Sequence, residues 1–94
     1  MRAVLLHEER RQLSDDIFAE LRLWRVPSPV RGSQHDLKYA LVLVVSGTCV
    51  LRFDNEAGKG DHRHIGDSEA PYRFTSMEQL LADFWIDVDQ WSAE

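Results

Sequence analysis

Cysteine and long apolar runs are the two things this chain most clearly lacks. Cys49 is the single cysteine among 94 residues, so no internal disulfide can form, and its apolar neighbours predict a small buried side chain. The longest apolar run, residues 40–45, is too short to cross a membrane. The first six residues are too short for the apolar segment of a signal peptide. We therefore expect a soluble, cytoplasmic protein with one domain over residues 1–94.

Basic residues are missing from the C-terminal segment. Residues 78–94 carry five acids and no Lys or Arg, whereas residues 1–77 carry eleven acids and all eleven basic residues. The net charge of −5 therefore belongs to the last part of the chain. Because the rest is neutral overall, the composition neither demands nor excludes a basic surface for nucleic acid.

Apolar and polar residues alternate in a way that predicts strands in the first half of the chain. Residues 3–7 form a short candidate strand, and the polar residues 8–16 predict a chain reversal. Residues 17–26 alternate with the period of a half-buried strand, which Pro27 ends.

A β-hairpin is predicted around Ser46-Gly47, with residues 39–45 and 48–54 as its strands. A two-residue loop sets the pairing, and paired residues share a face of the sheet. The predicted pairs are Val45–Thr48, Leu43–Val50, Leu41–Arg52 and Tyr39–Asp54. The opposite face, which we expect to receive a helix, is formed by Ala40, Val42, Val44, Cys49, Leu51 and Phe53.

A helix is predicted at about residues 76–91. Ser76 with Gln79, and Thr75 with Glu78, fit the capping box of a helix N-terminus. One apolar stripe follows at helical spacing: Met77, Leu80, Leu81, Phe84, Val88 and Trp91. The expected fold is α+β, an antiparallel meander of about four strands (residues 2–54), a functional loop (55–70) and a C-terminal helix packed on one face.

The functional loop contains two histidines among charged residues and glycines. Imidazole exchanges protons near neutral pH, and Lys or Arg can stabilise a phosphate, so this composition suits RNA cleavage. Gly58 and Gly60 would let the backbone approach a phosphate and offer N–H groups. The predicted catalytic residues are His62, His64, Lys59, Arg63 and Asp61. The predicted substrate-binding residues, expected at the same rim of the sheet, are His35, Lys38, Tyr39, Arg52, Asp54, Asn55 and Tyr72.

Other interpretations of the loop remain open. His62 and His64 would lie on one side of an extended segment, and Asp61, His35 or Asp54 would complete a metal site. We favour a site without a metal or other cofactor, because a lone His-x-His is common. A regulatory binding module without enzymatic activity is a further alternative, and a charged, solvated loop is the plainest one.

The motifs of this chain resemble those of the TumE family of small toxins from bacterial toxin–antitoxin pairs. The matching stretches are Trp24-Arg25-Val26-Pro27-Ser28-Pro29-Val30, Gly32-Ser33, His35, Lys38-Tyr39, Asp54-Asn55, Gly58-Lys59-Gly60-Asp61-His62-Arg63-His64, Pro71-Tyr72, Phe74, Asp83-Phe84 and Asp87. The resemblance implies a toxin neutralised by a helix-turn-helix antitoxin, and analogy with other small toxins makes RNA the expected target. One helix covers one face of the sheet, so a homodimer or the antitoxin is expected to cover the other.

Overall fold

The computed structural model describes residues 2–92, which form an antiparallel sheet followed by one helix. The six strands lie side by side in sequence order. This architecture confirms the α+β class and the C-terminal helix, but the prediction of about four strands was wrong. The elements are β1 (Val4–Ser14), β2 (Ile17–Arg25), β3 (Leu37–Val45), β4 (Thr48–Glu56), β5 (Gly60–Ile65), β6 (Ser68–Pro71) and α1 (Met77–Ser92).

Strand β1 continues through the segment in which a reversal was expected. It pairs with β2 along its whole length, and the turn comes only after Ser14. Cross-strand ion pairs explain the polar composition: Arg10 lies 3.2 Å from Glu20, and the Glu8 carboxylate lies 3.2 Å from Arg22. A strand at the edge of the sheet needs no apolar alternation when charged partners face it.

Strands β5 and β6 occupy the region predicted as a functional loop, so that prediction was also wrong. β5 pairs with β4, and β6 pairs with β5 through a short turn at residues 66–67. Both strands carry polar residues on both faces, so their sequences do not show the apolar–polar alternation that predicts a strand. The histidine motif therefore stands on a paired strand.

The predicted hairpin turn is confirmed, but a bulge alters the pairing beyond it. Ser46 and Gly47 both have positive φ, 49° and 81°, as the favoured two-residue hairpin turn requires. Between Val44 and Leu43 the register shifts, and Leu43 pairs with Leu51 rather than with Val50. An extra residue on one strand moves every later side chain of that strand to the opposite face. Leu51 and Phe53 of β4 lie on the helix side, as predicted. The β3 residues expected beside them, Ala40, Val42 and Val44, lie on the opposite face, so the predicted helix-receiving face was wrong for β3.

Helix α1 packs on the face that carries the leucines of β2 and β3. Ser76 caps the helix, since its Oγ accepts a hydrogen bond from the Gln79 N–H at 3.0 Å. The predicted stripe is confirmed, with its centre fully buried. The core is formed by Ala19, Leu21, Leu23, Tyr39, Leu41, Leu43, Leu51, Phe53, Leu80, Phe84 and Val88. Cys49, expected in this core, is exposed instead, on the face that the helix leaves open.

Within residues 2–92, no helix has the length and apolar character to cross a membrane.

Candidate functional site

The two faces of the sheet divide the predicted site residues into two groups. Directly paired residues in an antiparallel sheet share a face. Asp54 pairs with His62, and Arg52 pairs with His64, on the face away from α1, which we call the open face. Asp61 and its neighbours on the helix side belong to a separate cluster. The expected convergence on one rim was therefore wrong. The bulge separates Tyr39 from Arg52 and Asp54, and the alternation of side chains along β5 separates Asp61 from His62.

A groove of about 360 Å³ lies on the open face. Its chemistry-bearing lining residues are Arg52, Asp54, Glu56, Lys59, His62, His64 and Glu69. They come from β4, β5, β6 and the turn between β4 and β5. This groove contains both histidines of the motif and is the candidate functional site.

The orientation of the His62 ring is set by the backbone. Its Nδ1 lies 2.9 Å from the carbonyl oxygen of Gly60, which can only accept, so Nδ1 carries a proton and donates. In the neutral ring, Nε2 then holds the lone pair. That atom lies 3.5 Å from a carboxylate oxygen of Glu69. The Gly60 carbonyl therefore fixes the orientation of the His62 ring.

His64 lies beside His62 and is held less closely by neighbouring residues. The ring centroids are 6.3 Å apart, and His64 Nδ1 lies 3.9 Å from the second carboxylate oxygen of Glu69. The His64 side chain is 36% exposed and that of His62 only 15%. Two imidazoles of different exposure thus face one groove.

Two cations flank the histidines. Arg52 donates its Nε to the Asp54 carboxylate at 2.8 Å, which holds the guanidinium beside His64. Lys59, in the turn before β5, lies 3.6 Å from Glu56, and both side chains are largely exposed. An exposed ion pair of this kind is weak, so Lys59 is free to turn toward an anion.

A second, buried polar cluster is centred on Asp61, on the helix side of the sheet. One carboxylate oxygen accepts from Ser33 Oγ at 2.5 Å, and the other accepts from Tyr39 Oη and His35 Nε2, each at 2.7 Å. His35 Nδ1 accepts the Leu37 N–H at 3.2 Å, so both ring nitrogens are occupied. This arrangement joins the loop before β3 to strand β5.

Residues of the Asp61 cluster are closed to a substrate. The Asp61 side chain is 9% exposed, and Phe74 stacks on His35 with centroids 3.7 Å apart. Tyr39 is buried, so its ring is not available to stack on a base. Burial and the Asp61 carboxylate raise the pKa of the Tyr39 hydroxyl. Asn55 completes the cluster by donating to the Leu37 carbonyl at 2.8 Å.

Arg63 and Tyr72 face the helix rather than the groove. Arg63 lies 3.5 Å from Asp87, whose Oδ2 is buried without a hydrogen-bond partner among residues 2–92. Burial raises the pKa of the Asp87 carboxyl. Tyr72 donates to Asp83 at 2.6 Å, and burial followed by that bond raises the pKa of its hydroxyl. These residues attach α1 to β5 and β6.

The glycines of the motif serve the fold, and the N–H of Gly58 is already used within the protein. Gly58 donates its N–H to the Arg31 carbonyl at 2.6 Å, and Lys59 donates to the Glu56 carbonyl at 3.0 Å. Gly60 has a φ of 75° and meets the backbone of Gly32. Both glycines are therefore needed for a close approach between two loops.

Lys38 and the proposed metal ligands are the remaining residues of the predicted site. Lys38 is exposed on the open face, pairs with Trp24, and is not one of the residues that line the groove. The ligands considered for a metal are divided: His62, His64 and Asp54 lie on the open face, and Asp61 and His35 lie on the helix side. Across residues 2–92, no group of three or more His, Cys, Asp or Glu side chains is arranged to hold a metal ion.

Three residues were not predicted: Glu56 and Glu69, which line the groove, and Ser33, which belongs to the Asp61 cluster. Ser33 lies two residues before His35 in a polar loop, and that proximity was a usable signal. Glu69, between the two histidines, gave no signal, because an isolated Glu in a polar segment is ordinary.

Comparison with protein families identifies the family of this chain. The family model described as toxin TumE matches residues 2–92, nearly the whole chain. The protein belongs to the TumE toxin family. Its role is therefore that of a toxin component, and its partner is an antitoxin. Searches of curated proteins and of solved structures found no match.

Proposed function

We propose that this TumE-family toxin inhibits growth by cleaving RNA in the open-face groove. The observation that carries the proposal is the pairing of His62, with its tautomer set by the Gly60 carbonyl, and His64, 6.3 Å away between ring centroids. Cleavage of an RNA phosphodiester requires a base for the 2′-hydroxyl and an acid for the 5′-oxygen. Two imidazoles side by side supply both.

We assign the base to His62. Its Nδ1–H is committed to a backbone carbonyl, so the neutral ring presents Nε2 to the groove as a proton acceptor. His64, the more exposed ring, is then the acid that protonates the leaving oxygen. Glu69 lies within 3.9 Å of both rings and is a suitable counter-charge for whichever imidazole is protonated.

Arg52 and Lys59 are the proposed phosphate contacts. Asp54 takes the Nε of Arg52, and the two terminal nitrogens of the guanidinium are the groups a phosphate would use. Arg52, which pairs with His64, would stabilise the negative charge that develops on the reacting phosphate in the transition state. Lys59, in the turn before β5, would hold a neighbouring phosphate. Asp61 and Arg63 were expected in this role, but their buried and helix-facing positions favour support of the fold.

The finer identity of the partners follows from the family resemblance. We propose a helix-turn-helix antitoxin and RNA as the target. Val42 and Val44 on the open face are only half-buried, and the antitoxin or a second copy of the chain in a homodimer would cover them. A partner seated there would also block the adjacent groove, which accounts for neutralisation.

Single substitutions of the groove histidines test the proposal. His62→Ala and His64→Ala should each lower the rate of RNA cleavage by roughly 10²–10⁴-fold and relieve growth inhibition, because each removes a proton-transfer group. His7→Ala is the matched control: His7 lies on β1, contacts only Glu9 at 3.1 Å, and should leave both readouts unchanged.

The assay uses purified protein, a single-stranded RNA oligonucleotide and EDTA. Cleavage that persists in EDTA and is lost in either groove variant supports the histidine mechanism. Cleavage abolished by EDTA would favour the metal-dependent alternative. Growth inhibition that survives His62→Ala and His64→Ala, with no RNA fragments in the cells, would favour a non-enzymatic toxin.

A further inference from the structure

The loop between β2 and β3 lies directly over the turn that begins the histidine motif. The Arg31 carbonyl accepts the Gly58 N–H at 2.6 Å. Gly32 and Gly60 meet so closely that a Cβ on Gly60 would lie 2.7 Å from the Gly32 carbonyl oxygen. Such an approach is open only to glycine at both positions. The two loops therefore form one rigid unit at the end of the sheet.

This contact places the Arg31 side chain beside the turn. A Cβ built on Gly58 would lie 3.0 Å from Arg31 Nη2, so the guanidinium rests on the bare backbone of Gly58. Arg31 is exposed, and no carboxylate of residues 2–92 forms an ion pair with it. Lys59 is the next residue of the turn. The Arg31 guanidinium therefore adjoins the residue before Lys59, and Lys59 itself lines the groove beside Glu56.

We propose that Arg31 is a phosphate-binding residue of the RNA site, acting with Lys59 on the phosphate next to the one that is cleaved. This inference rests on the proposed RNA cleavage. A guanidinium has the planar, two-pronged geometry that matches a phosphate. Two residues of strand separate Gly60 from His62, a rise of about 6.6 Å, so the turn reaches a neighbouring phosphate rather than the reacting one.

A binding role of this kind has a distinct kinetic signature. Arg31→Ala should raise KM by about fivefold at 0.1 M salt, which is the effect of one lost phosphate contact on a single strand. The kcat should stay unchanged, because Arg31 is remote from the proton transfers at His62 and His64. Arg31→Lys retains the charge and should recover most of the affinity.

Equilibrium binding separates this role from a general effect of charge. The probe is a single-stranded oligonucleotide of 2′-O-methyl RNA, which cannot be cleaved because its 2′-oxygen is blocked. The slope of log K against log salt should fall in magnitude by about 0.7 in Arg31→Ala and stay constant in Arg31→Lys. The matched control is Arg25→Ala, which removes an equally exposed arginine that is paired with Asp36 at 3.4 Å.

Each outcome decides the proposal. Equal effects of Arg31→Ala and Arg25→Ala would overturn it, as would a kcat loss at constant KM. If the unmodified protein cleaves and binds RNA and Arg31→Ala does so equally well, the Arg31 assignment fails alone. If the unmodified protein neither binds nor cleaves RNA, both proposals fail. Thermal melts of the same variants should coincide, because exposed loop substitutions cost under about 0.5 kcal/mol.

Discussion

The Asp61 cluster should be among the most sensitive points of the fold. Asp61→Ala removes the acceptor of three hydrogen bonds, from Ser33, His35 and Tyr39. Hydrogen bonds to a charged group contribute about 1.5–3 kcal/mol each, so the lower bound for three is about 4.5 kcal/mol. Removing one partner of a buried ion pair typically costs about 3–5 kcal/mol, which agrees with this estimate for Asp61→Ala. The total free energy of unfolding of a domain of this size is about 5–14 kcal/mol.

Because Asp61→Ala can abolish folding, Tyr39→Phe is the more informative variant. It removes one of the three bonds while keeping the buried ring, and we expect the free energy of unfolding to fall by about 1.5–3 kcal/mol. Urea denaturation followed by tryptophan fluorescence measures it. Asp67→Ala, in the exposed turn between β5 and β6, is the control and should cost under about 0.5 kcal/mol. A loss below about 0.5 kcal/mol in Tyr39→Phe, together with less than 1 kcal/mol in Asp61→Ala, would refute the structural role of the cluster.

Two further expectations concern backbone contact and pH. Gly60→Ala should lower the free energy of unfolding by more than about 2 kcal/mol, since its φ is positive and the new Cβ would meet the Gly32 carbonyl. Gly47→Ala is the control, because Gly47 has a positive φ but open space around it, and this variant should cost only about 1–2 kcal/mol. Equal losses in the two variants would contradict the contact. Tyr39 and Tyr72 are the only tyrosines, and both hydroxyls have raised pKa values, so an absorbance titration should show no tyrosinate in the native protein at pH 10. In the unfolded chain the two tyrosines lose their protons at a lower pH than in the folded protein, so the free energy of unfolding should fall as pH rises above about 10. A tyrosinate signal from the native protein at pH 10 would disprove the burial of the two hydroxyls.

The helix and the first hairpin were predictable because their signals are local. The apolar stripe centred on Phe84 repeats at helical spacing, and Ser76 supplies a cap three residues before Gln79. Ser46-Gly47 likewise determines a tight turn by its own conformational preference. Such features depend on neighbours along the chain and are visible without a fold.

Strands β5 and β6 were not predictable in the same way. Their residues alternate between a solvated groove and a polar helix-side cluster, so neither face is apolar. His62 faces the groove, whereas Asp61 faces Ser33 and Tyr39 from distant segments. A strand held by backbone pairing with β4 and by charged partners leaves no hydrophobic period to detect.

The sequence by itself determined the α+β class and the toxin family, since these follow from local pattern and residue type. Tertiary structure alone decided which side chains meet. One bulge in the β3–β4 pairing separates Tyr39, which lies with Asp61 on the helix side, from Arg52 and Asp54, which lie with His62 and His64 on the open face. Side chains alternate along a strand, so a single extra residue exchanges the faces, and no local pattern records the register.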